Sequence, residues 1–267
     1  LGCCGGHELR GKHMSGSRSA IRFGSDFTGI YDSLAWGAAS PVAGEISGGI
    51  GFVSVNEGSF ASTVDEPGGI LAITTDTADN DNAVLLAGKF KPSDGKAVVE
   101  ARFKHSNVDC AVFVGFSETM ALDTPVMPAE FATATMTYNG TGGMLGLQYD
   151  VDGTTDDWRA VMGDGGAGVG GSSTTGVTAS ATVTADRWVI ARVILHPDGS
   201  GECWLGEVGH EDTNGIPTLR LIKRFTAALT ASDLFYAVLM IENRSGAARV
   251  LEVDYFEGES FRDWATD

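Results

Sequence analysis

The sequence has few cysteines, little positive charge, no long apolar run and almost no helical periodicity, and each shortage excludes a class of protein. Its four cysteines, Cys3, Cys4, Cys110 and Cys203, lack the CxxC or Cys/His spacing of metal and redox sites. Four cysteines in 267 residues are also too sparse for a disulfide-rich secreted domain. We therefore expect the chain to fold in a reducing compartment.

Positive charge is scarce, because 18 Lys and Arg face 35 Asp and Glu, for a formal net charge of −17. Such a charge repels nucleic acid and anionic membrane surfaces. No stretch reaches the roughly 18 to 20 apolar residues of a membrane helix, and the first thirty residues lack the layout of a signal peptide. We expect a soluble protein whose partners include neither nucleic acid nor membranes.

What the sequence does contain, from residue 50 onward, is a series of short β-branched and aromatic runs between turn signals. Residues Lys96 to Lys104 alternate apolar and charged side chains, which predicts a strand with one wet side. Two other runs, Cys110 to Phe116 and Phe235 to Ile241, are apolar on both faces and are expected to be central strands. Phe131 to Tyr138 is predicted as one strand, and Pro197-Asp198-Gly199 as a hairpin turn. About a dozen such strands predict an all-β fold of two packed antiparallel sheets.

Composition divides the chain into three parts: an extended N-terminal arm rich in Gly, Ser and Ala (1–49), a β-sandwich domain (50–258) and a short C-terminal tail (259–267). Residues 1–22 carry four cations against Glu8 alone, whereas the rest of the chain is strongly acidic. An arm of opposite charge to its own body is suited to docking on a neighbouring acidic body, and a solvated flexible tail is the alternative. The predicted partner-binding residues are Arg18, Arg22, Phe23, Phe27, Tyr31 and Trp36.

Two oxygen-rich stretches, residues 76–82 and 150–157, are candidates for binding calcium. Their candidate ligands are Asp79, Asp81, Asp150 and Asp152. Neither stretch fits the EF-hand, in which acidic or amide ligands recur at fixed positions of a twelve-residue loop. Calcium could still bind in loops of irregular structure, and a solvated turn is the alternative for each stretch. We predict no cofactor, and calcium is the one ion that these residues leave open.

The tryptophans raise the question of a sugar-stacking platform. An aromatic ring on a sandwich strand either packs in the core or lies on the surface, where it stacks on a ligand. The sequence does not separate these two roles for Trp36, Trp158, Trp188, Trp204 and Trp264.

The strongest enzymatic pattern is EVDYFE, in which Glu252, Asp254 and Glu257 match the E-x-D-x-x-E of retaining glycoside hydrolases with a sandwich fold. A β-bulge would bring Glu257 onto the face shared by Glu252 and Asp254, so that a nucleophile and an acid/base converge. The alternative is a solvated strand face, where charged residues are ordinary. We predict that the protein is not an enzyme, with these three residues as the catalytic alternative.

Four segments in a fixed order resemble the concanavalin A-like (LamG-type) jelly-roll proteins found among the virion structural proteins of tailed bacteriophages. They are LAITTDTADNDNAVLLAGKFKPSDGKAVVEARFK, CAVFVGFSET, DRWVIARVILHPDGSGECWLGEV and FYAVLMIENRSGAARVLEVDYFEG. The resemblance implies a two-sheet jelly-roll sandwich.

The resemblance also implies a role in the virion, which is assembled in the host bacterial cytoplasm. There the protein would decorate or cement the capsid by non-covalent contact with the major capsid protein or other virion proteins, as a homo-oligomer such as a trimer. Fold analogy alone does not assign function. The alternatives are a carbohydrate-binding module, a fibre or tail component, and the glycoside hydrolase.

Overall fold

The structure, a computed structural model, describes residues 20–25, 44–47, 50–54, 58–63, 69–121, 124–169, 176–178, 183–207, 210–226 and 228–261. One short 3-10 helix, Pro92–Asp94, lies between strands. The strands are β1 (Ala20–Ser25), β2 (Gly44–Ser47), β3 (Ile50–Ser54), β4 (Ser59–Ser62), β5 (Leu71–Thr74), β6 (Asn82–Phe90), β7 (Ala97–His105), β8 (Cys110–Ser117), β9 (Ala129–Ala132), β10 (Thr135–Tyr138), β11 (Met144–Asp150), β12 (Arg159–Asp164), β13 (Ala167–Gly168), β14 (Val177–Thr178), β15 (Val189–Leu195), β16 (Gly201–Gly206), β17 (Arg220–Phe225), β18 (Phe235–Asn243) and β19 (Val250–Phe261).

These strands form two large antiparallel sheets and a separate hairpin. Sheet A has the order β17-β16-β15-β7-β19-β5-β4, with β1 also paired to β19. Sheet B has the order β13-β12-β11-β8-β18-β6-β3-β2, with β14 also paired to β12. Neighbours in each sheet are often distant in sequence, as in a jelly roll. The predicted all-β, two-sheet antiparallel sandwich is confirmed.

Alternation along the strands of sheet A builds the main core between the two sheets. In β7, residues Val99, Ala101 and Phe103 are fully buried while their neighbours are partly exposed, as the wet-side prediction requires. Phe103 contacts Trp158, the residue just before β12 of the opposite sheet, with ring centroids 5.8 Å apart, and Trp158 in turn contacts Tyr149 at 5.9 Å. Sheet A therefore has one face in the core and one face free for solvent or ligands.

Sheet B is different, because its central strands are buried on both faces. Every residue of β8 and β11 is buried, as predicted for the run Cys110 to Phe116. The face of sheet B turned away from sheet A is covered by the β9–β10 hairpin and the segment before it, which form a second core with Phe113 and Val238. This second core is rich in methionine: Met120, Met127, Met136, Met144 and Met240. The hairpin adds a small third layer that the sequence did not indicate.

The β9–β10 hairpin also corrects the prediction that Phe131 to Tyr138 is one strand. The chain turns at Thr133, which has a positive φ of 65°, and Thr135 pairs back onto Ala132. A β-branched residue rarely adopts this conformation, and no Gly, Asn or Pro marks the turn. The turn was therefore not readable from local residue type.

Two strands from the predicted N-terminal arm pair with the sandwich. β1 lies against β19, with Arg22 opposite Glu259 and Phe23 opposite Gly258, and β2 lies against β3. The other predicted partner-binding residues, Arg18, Phe27, Tyr31 and Trp36, lie outside the described residues. The division at residues 49 and 258 and the docking role of the arm stay predictions.

The cysteine thiols that the structure describes are free, one in each sheet. Cys110 donates to the Asn107 carbonyl, and Cys203 to the Gly146 carbonyl at 3.3 Å. Burial raises the pKa of both thiols far above the usual range. Neither thiol is therefore a reactive thiolate. Within the described ranges no helix is long and apolar enough to cross a membrane.

The predicted turn Pro197-Asp198-Gly199 joins β15 to β16, and Gly199 has a φ of 78°. A Cβ atom on Gly199 would lie 2.0 Å from the Leu229 carbonyl oxygen. Gly215 has a similar φ of 76°, yet a Cβ there would meet no atom within 4 Å. Substitution of Gly215 therefore tests backbone strain alone, whereas substitution of Gly199 tests backbone strain together with a steric clash.

We expect Gly215→Ala to lower the free energy of unfolding by about 1 kcal/mol, the cost of the left-handed conformation alone. Gly199→Ala should cost clearly more, because the Leu229 backbone must also move. Urea denaturation of both variants measures the difference. Equal losses of unfolding free energy in the two variants would show that the Leu229 backbone moves at no cost and does not pack tightly against the turn.

Candidate functional site

The outer face of sheet A, turned away from the core, carries the three carboxylates of the predicted catalytic pattern. Regular alternation is broken by a β-bulge between Val253 and Tyr255. Leu251, Val253 and Phe256 are consequently buried, whereas Glu252, Asp254 and Glu257 are at least partly exposed. The bulge that the sequence argument required is present.

Two of these carboxylates are held by cations of β7. Glu252 lies 2.7 Å from the Lys104 ammonium, and Asp254 accepts a hydrogen bond from Arg102. The Trp188 ring stacks against both cations, 4.4 Å from the Arg102 guanidinium carbon and 5.2 Å from the Lys104 nitrogen. This end of the face is thus a closed network of paired charges.

The strand register separates the predicted nucleophile and acid/base. Glu252 lies opposite Lys104 and Glu257 opposite Glu100, four residues along β7. At about 3.3 Å per residue their Cα atoms are about 13 Å apart. A retaining glycosidase needs carboxyl groups about 5 to 5.5 Å apart. To reach that separation both side chains would have to extend toward each other along the strand, whereas the Glu252 carboxylate lies 2.7 Å from the Lys104 ammonium.

A groove lies beside this network on the same face, and two cross-strand rows form it. In the first row Arg192 of β15, Glu100 of β7 and Glu257 of β19 are successive partners. In the second row Ile194, Val98 and Glu259 are successive partners. The groove, about 560 Å³ in volume, is called here the sheet A groove, and its lining includes Lys96, Val98, Glu100, Arg192, Ile194 and Glu257.

The groove combines an apolar floor with fixed planar polar groups. Val98 and Ile194 are both partly exposed and lie side by side. Glu100 is fixed by Arg192 and by the Tyr255 hydroxyl, which donates to it at 2.7 Å. Burial, together with the nearby Glu100 carboxylate, raises the pKa of Glu257. Glu257 therefore gains from a hydrogen-bond donor brought by a ligand.

An aromatic ring extends the first row at its far end. Trp204 of β16 lies opposite Arg192 and is half-buried, and its indole nitrogen donates to Glu202 at 2.9 Å. Glu202 also contacts His196 and Arg224 at 3.3 and 2.8 Å. Burial, which raises the pKa of Glu202, is outweighed by these donors, so that its pKa is lowered overall. The ring is thus held in place by an ionised carboxylate.

The five tryptophans therefore divide between core and surface. Trp158 is 1% exposed and lies in the core, whereas Trp188 and Trp204 lie on the outer face of sheet A. Trp36 and Trp264 lie outside the described residues. The sequence signal that identifies the groove, the wet side of Lys96 to Lys104, was readable. The pairing of β7 with β15 and β19, which assembles the groove, was not.

A second polar cluster lies at one end of sheet B, where both candidate calcium stretches meet. The Arg244 side chain, which directly follows β18, is 3% exposed and contacts Asp150 and Glu130, each at 2.9 Å. Its guanidinium also donates to Asn80 at 2.6 Å and lies 2.7 Å from Glu242. Arg244 thereby connects four chain segments that are distant in sequence.

The candidate calcium ligands do not fit an ion while Arg244 is in place. Asp150 offers both carboxylate oxygens to Arg244, and Asp152 lies 3.7 Å from its Nε. Asp81 accepts a hydrogen bond from the Ala78 amide, and Asp79 is exposed on the turn. In the part of the chain that the structure describes, no three or more His, Cys, Asp or Glu residues are arranged to hold a metal ion. No residue pattern around Arg244 in the sequence indicated that this side chain would pair with several carboxylates.

A second concavity, of about 600 Å³, lies where β6 ends and β18 begins in sheet B, near Lys89, Asp233 and Tyr236. The Lys89 ammonium lies 5.1 Å from the centre of the Tyr236 ring and covers one ring face. This concavity is more open than the sheet A groove and is the competing site for a small ligand.

The sequence matches no model of a known protein family and no curated protein. Solved structures do resemble it in fold. A protein of unknown function from Shewanella oneidensis MR-1 has 13% identity and a TM-score of 0.54, over 92% of this chain and 88% of that one. Peanut lectin, in a structure with a nine-residue peptide, has 11% identity and a TM-score of 0.52, over 91% and 97%. The lectin UEA-II, complexed with galactose, has 10% identity and a TM-score of 0.52, over 91% and 98%.

These likenesses establish the fold as a concanavalin A-like jelly roll of the kind found in legume lectins. At such low identity they establish the fold alone. The names of these three proteins mention neither a virus nor a capsid.

Proposed function

We propose that the protein is a carbohydrate-binding module and that a glycan binds in the sheet A groove. The observation that carries this proposal is the pair of cross-strand rows on the wet face of a lectin-like sandwich, one with the apolar pair Val98 and Ile194 and one with the polar residues Arg192, Glu100 and Glu257. The fold supports the proposal because UEA-II, which shares it, was solved with galactose.

The groove suits a sugar ring because such a ring has C–H patches and a rim of hydroxyls. Val98 and Ile194 offer an apolar floor for the C–H patch, and Trp204 extends the first row with an aromatic surface. Glu257 and Arg192 supply an acceptor and donors for hydroxyls. The groove is open and shallow, so we expect binding through a few such contacts.

The module acts by binding and not by hydrolysis. Glu252 is paired with Lys104 and Asp254 with Arg102, so the candidate nucleophile and its neighbour are each bound to a cation. We expect no release of reducing sugar from any glycan that binds. Hydrolysis that Glu252→Gln abolishes would instead establish the glycosidase alternative.

An array of immobilised glycans probed with the full chain tests the proposed class. We expect binding to a set of neutral glycans that share one ring or linkage. Binding to none of the glycans, or equal binding to all of them at low salt that vanishes with added salt, would contradict the proposal, because the second pattern reports charge alone.

The virion role remains a separate prediction. A capsid decoration protein would rebind particles that lack it and protect them against heat, with no need of a glycan. Particle rebinding by a protein that binds no glycan would favour that role over the one proposed here. If the protein both binds a glycan and rebinds particles, it has both roles and is a sugar-binding module carried on the virion.

A further inference from the structure

We infer that the Arg244 guanidinium is a built-in cation that takes the place of a metal ion at its end of the sandwich. The loops that meet there would then be ordered without calcium. This inference is independent of glycan binding, because it concerns how the fold is held.

Several oxygens surround the single cation of Arg244. A calcium ion gathers six to eight oxygens from several loops. Arg244 does the same with five N–H donors: it contacts Asn80, Glu130 and Asp150 from three distant segments and Glu242 from its own segment. Because a guanidinium is planar and permanently charged, it can hold two carboxylates in a fixed geometry.

The Arg244 side chain and its main partner are buried. The Arg244 and Asp150 side chains are 3% and 0% exposed, so the cation is part of the interior. Breaking a buried ion pair leaves an uncompensated charge, which is far more costly than losing a surface pair. Arg244 is therefore needed where it is, and an ion that displaced it would have to displace a buried side chain.

Two buried oxygen atoms near the cluster accept no hydrogen bond. Asn82 Oδ1 is buried and has no hydrogen-bond partner. Glu242 Oε1 is also buried, and although it lies 2.7 Å from Arg244 Nη1, the contact lacks hydrogen-bond geometry. Removing the guanidinium would leave a cavity lined by Glu242 Oε1 and by the oxygens of Asp150 and Glu130, which lie 2.7 to 2.9 Å from it. Such a cavity is lined by carboxylate oxygens, which are the ligands that calcium and similar divalent cations prefer.

The test compares the thermal midpoint of the full-length wild type, Arg244→Ala and Arg249→Ala, each with calcium chloride and with a chelator. Arg249 is the matched control, because it is also a buried arginine near this end but pairs with Asp109 and Ser245 instead of the carboxylate cluster. We expect both variants to have lower midpoints than the wild type. Calcium should raise the midpoint of Arg244→Ala by several degrees and leave the other two proteins unchanged.

A calcium effect on Arg249→Ala as large as that on Arg244→Ala, or none on either, would overturn the inference. Titration calorimetry of the wild type with calcium covers the case in which Arg244→Ala does not fold. We expect no binding heat. Calcium binding by the wild type that Asp150→Asn abolishes would show that the ion coexists with Arg244 and would also overturn the inference.

Discussion

Replacing Glu242 by glutamine is expected to flatten the pH dependence of the free energy of unfolding between about pH 5 and about pH 9. The pKa of Glu242 is raised from 4.5 to about 8, mainly by burial, and the Glu130 and Asp150 carboxylates add to the effect. Arg244 and Asn82 act in the opposite direction but do not outweigh burial. The folded protein therefore keeps a proton on Glu242 that the unfolded chain releases.

The sign of the effect follows from which state holds the proton. Between pH 4.5 and about 8 the folded state binds one more proton than the unfolded state at Glu242, so the stability that this group contributes falls as the pH rises. At about 1.4 kcal/mol per pKa unit, the upper limit of the loss is about 5 kcal/mol. Glutamine keeps a neutral polar side chain and does not titrate, so the variant should lose none of this stability.

Urea denaturation of both proteins across this pH range measures the difference. We expect near-equal stability at the acid end, where Glu242 is protonated, and a more stable variant at the alkaline end. Titrating groups outside this cluster contribute equally to both proteins, so that the difference between the two curves reports Glu242 and the carboxylates coupled to it. Parallel curves would show that this carboxyl titrates near its ordinary value in the folded protein.

The second large effect is expected from Trp158→Ala, which should lower the free energy of unfolding by about 3 to 5 kcal/mol. Trp158 is 1% exposed and bridges Phe103 and Tyr149 between the sheets, so its removal leaves a cavity in the main core. Trp204→Ala is the matched comparison, because Trp204 is half-buried on the outer face. Its loss should cost about 1 kcal/mol, mainly the hydrogen bond to Glu202.

For ligand binding we expect the opposite ranking: the Trp204 variant should have the larger effect and the Trp158 variant the smaller one. Trp204→Ala should weaken binding of any glycan that reaches the far end of the first row, whereas Trp158→Ala protein that remains folded should bind as the wild type does. Urea denaturation and glycan titration on the same preparations test both statements. A large stability loss in Trp204→Ala would place its ring in the core and remove it from the proposed surface.

Much of the fold was predictable from the sequence because it depends on local alternation. The wet side of β7 and the double-sided burial of β8 and β18 both follow from side-chain periodicity and are present. The stretch before β6 does form a turn, in which Asn80 adopts a positive φ of 67° and the Ala78 amide donates to Asp81, but Asp81 and Asn82 are buried and not solvated.

The candidate sites were only partly predictable, because they depend on pairing between distant strands. The sequence placed Glu252, Asp254 and Glu257 on one face but gave no distance between them. It also treated residues 76–82 and 150–157 as separate turns, whereas both converge on Arg244. Strand register and the meeting of loops are tertiary properties, and no local residue pattern reports them.

The central claim is that a glycan binds in the sheet A groove, and titration calorimetry of the best array glycan against three proteins tests it most directly. The proteins are the wild type, Glu257→Gln in the groove, and Asp233→Asn in the concavity beside Tyr236. We predict that Glu257→Gln weakens binding by about tenfold, equivalent to about 1.4 kcal/mol, and that Asp233→Asn leaves it unchanged. Loss of affinity in Asp233→Asn with none in Glu257→Gln would place the glycan on sheet B and contradict the account.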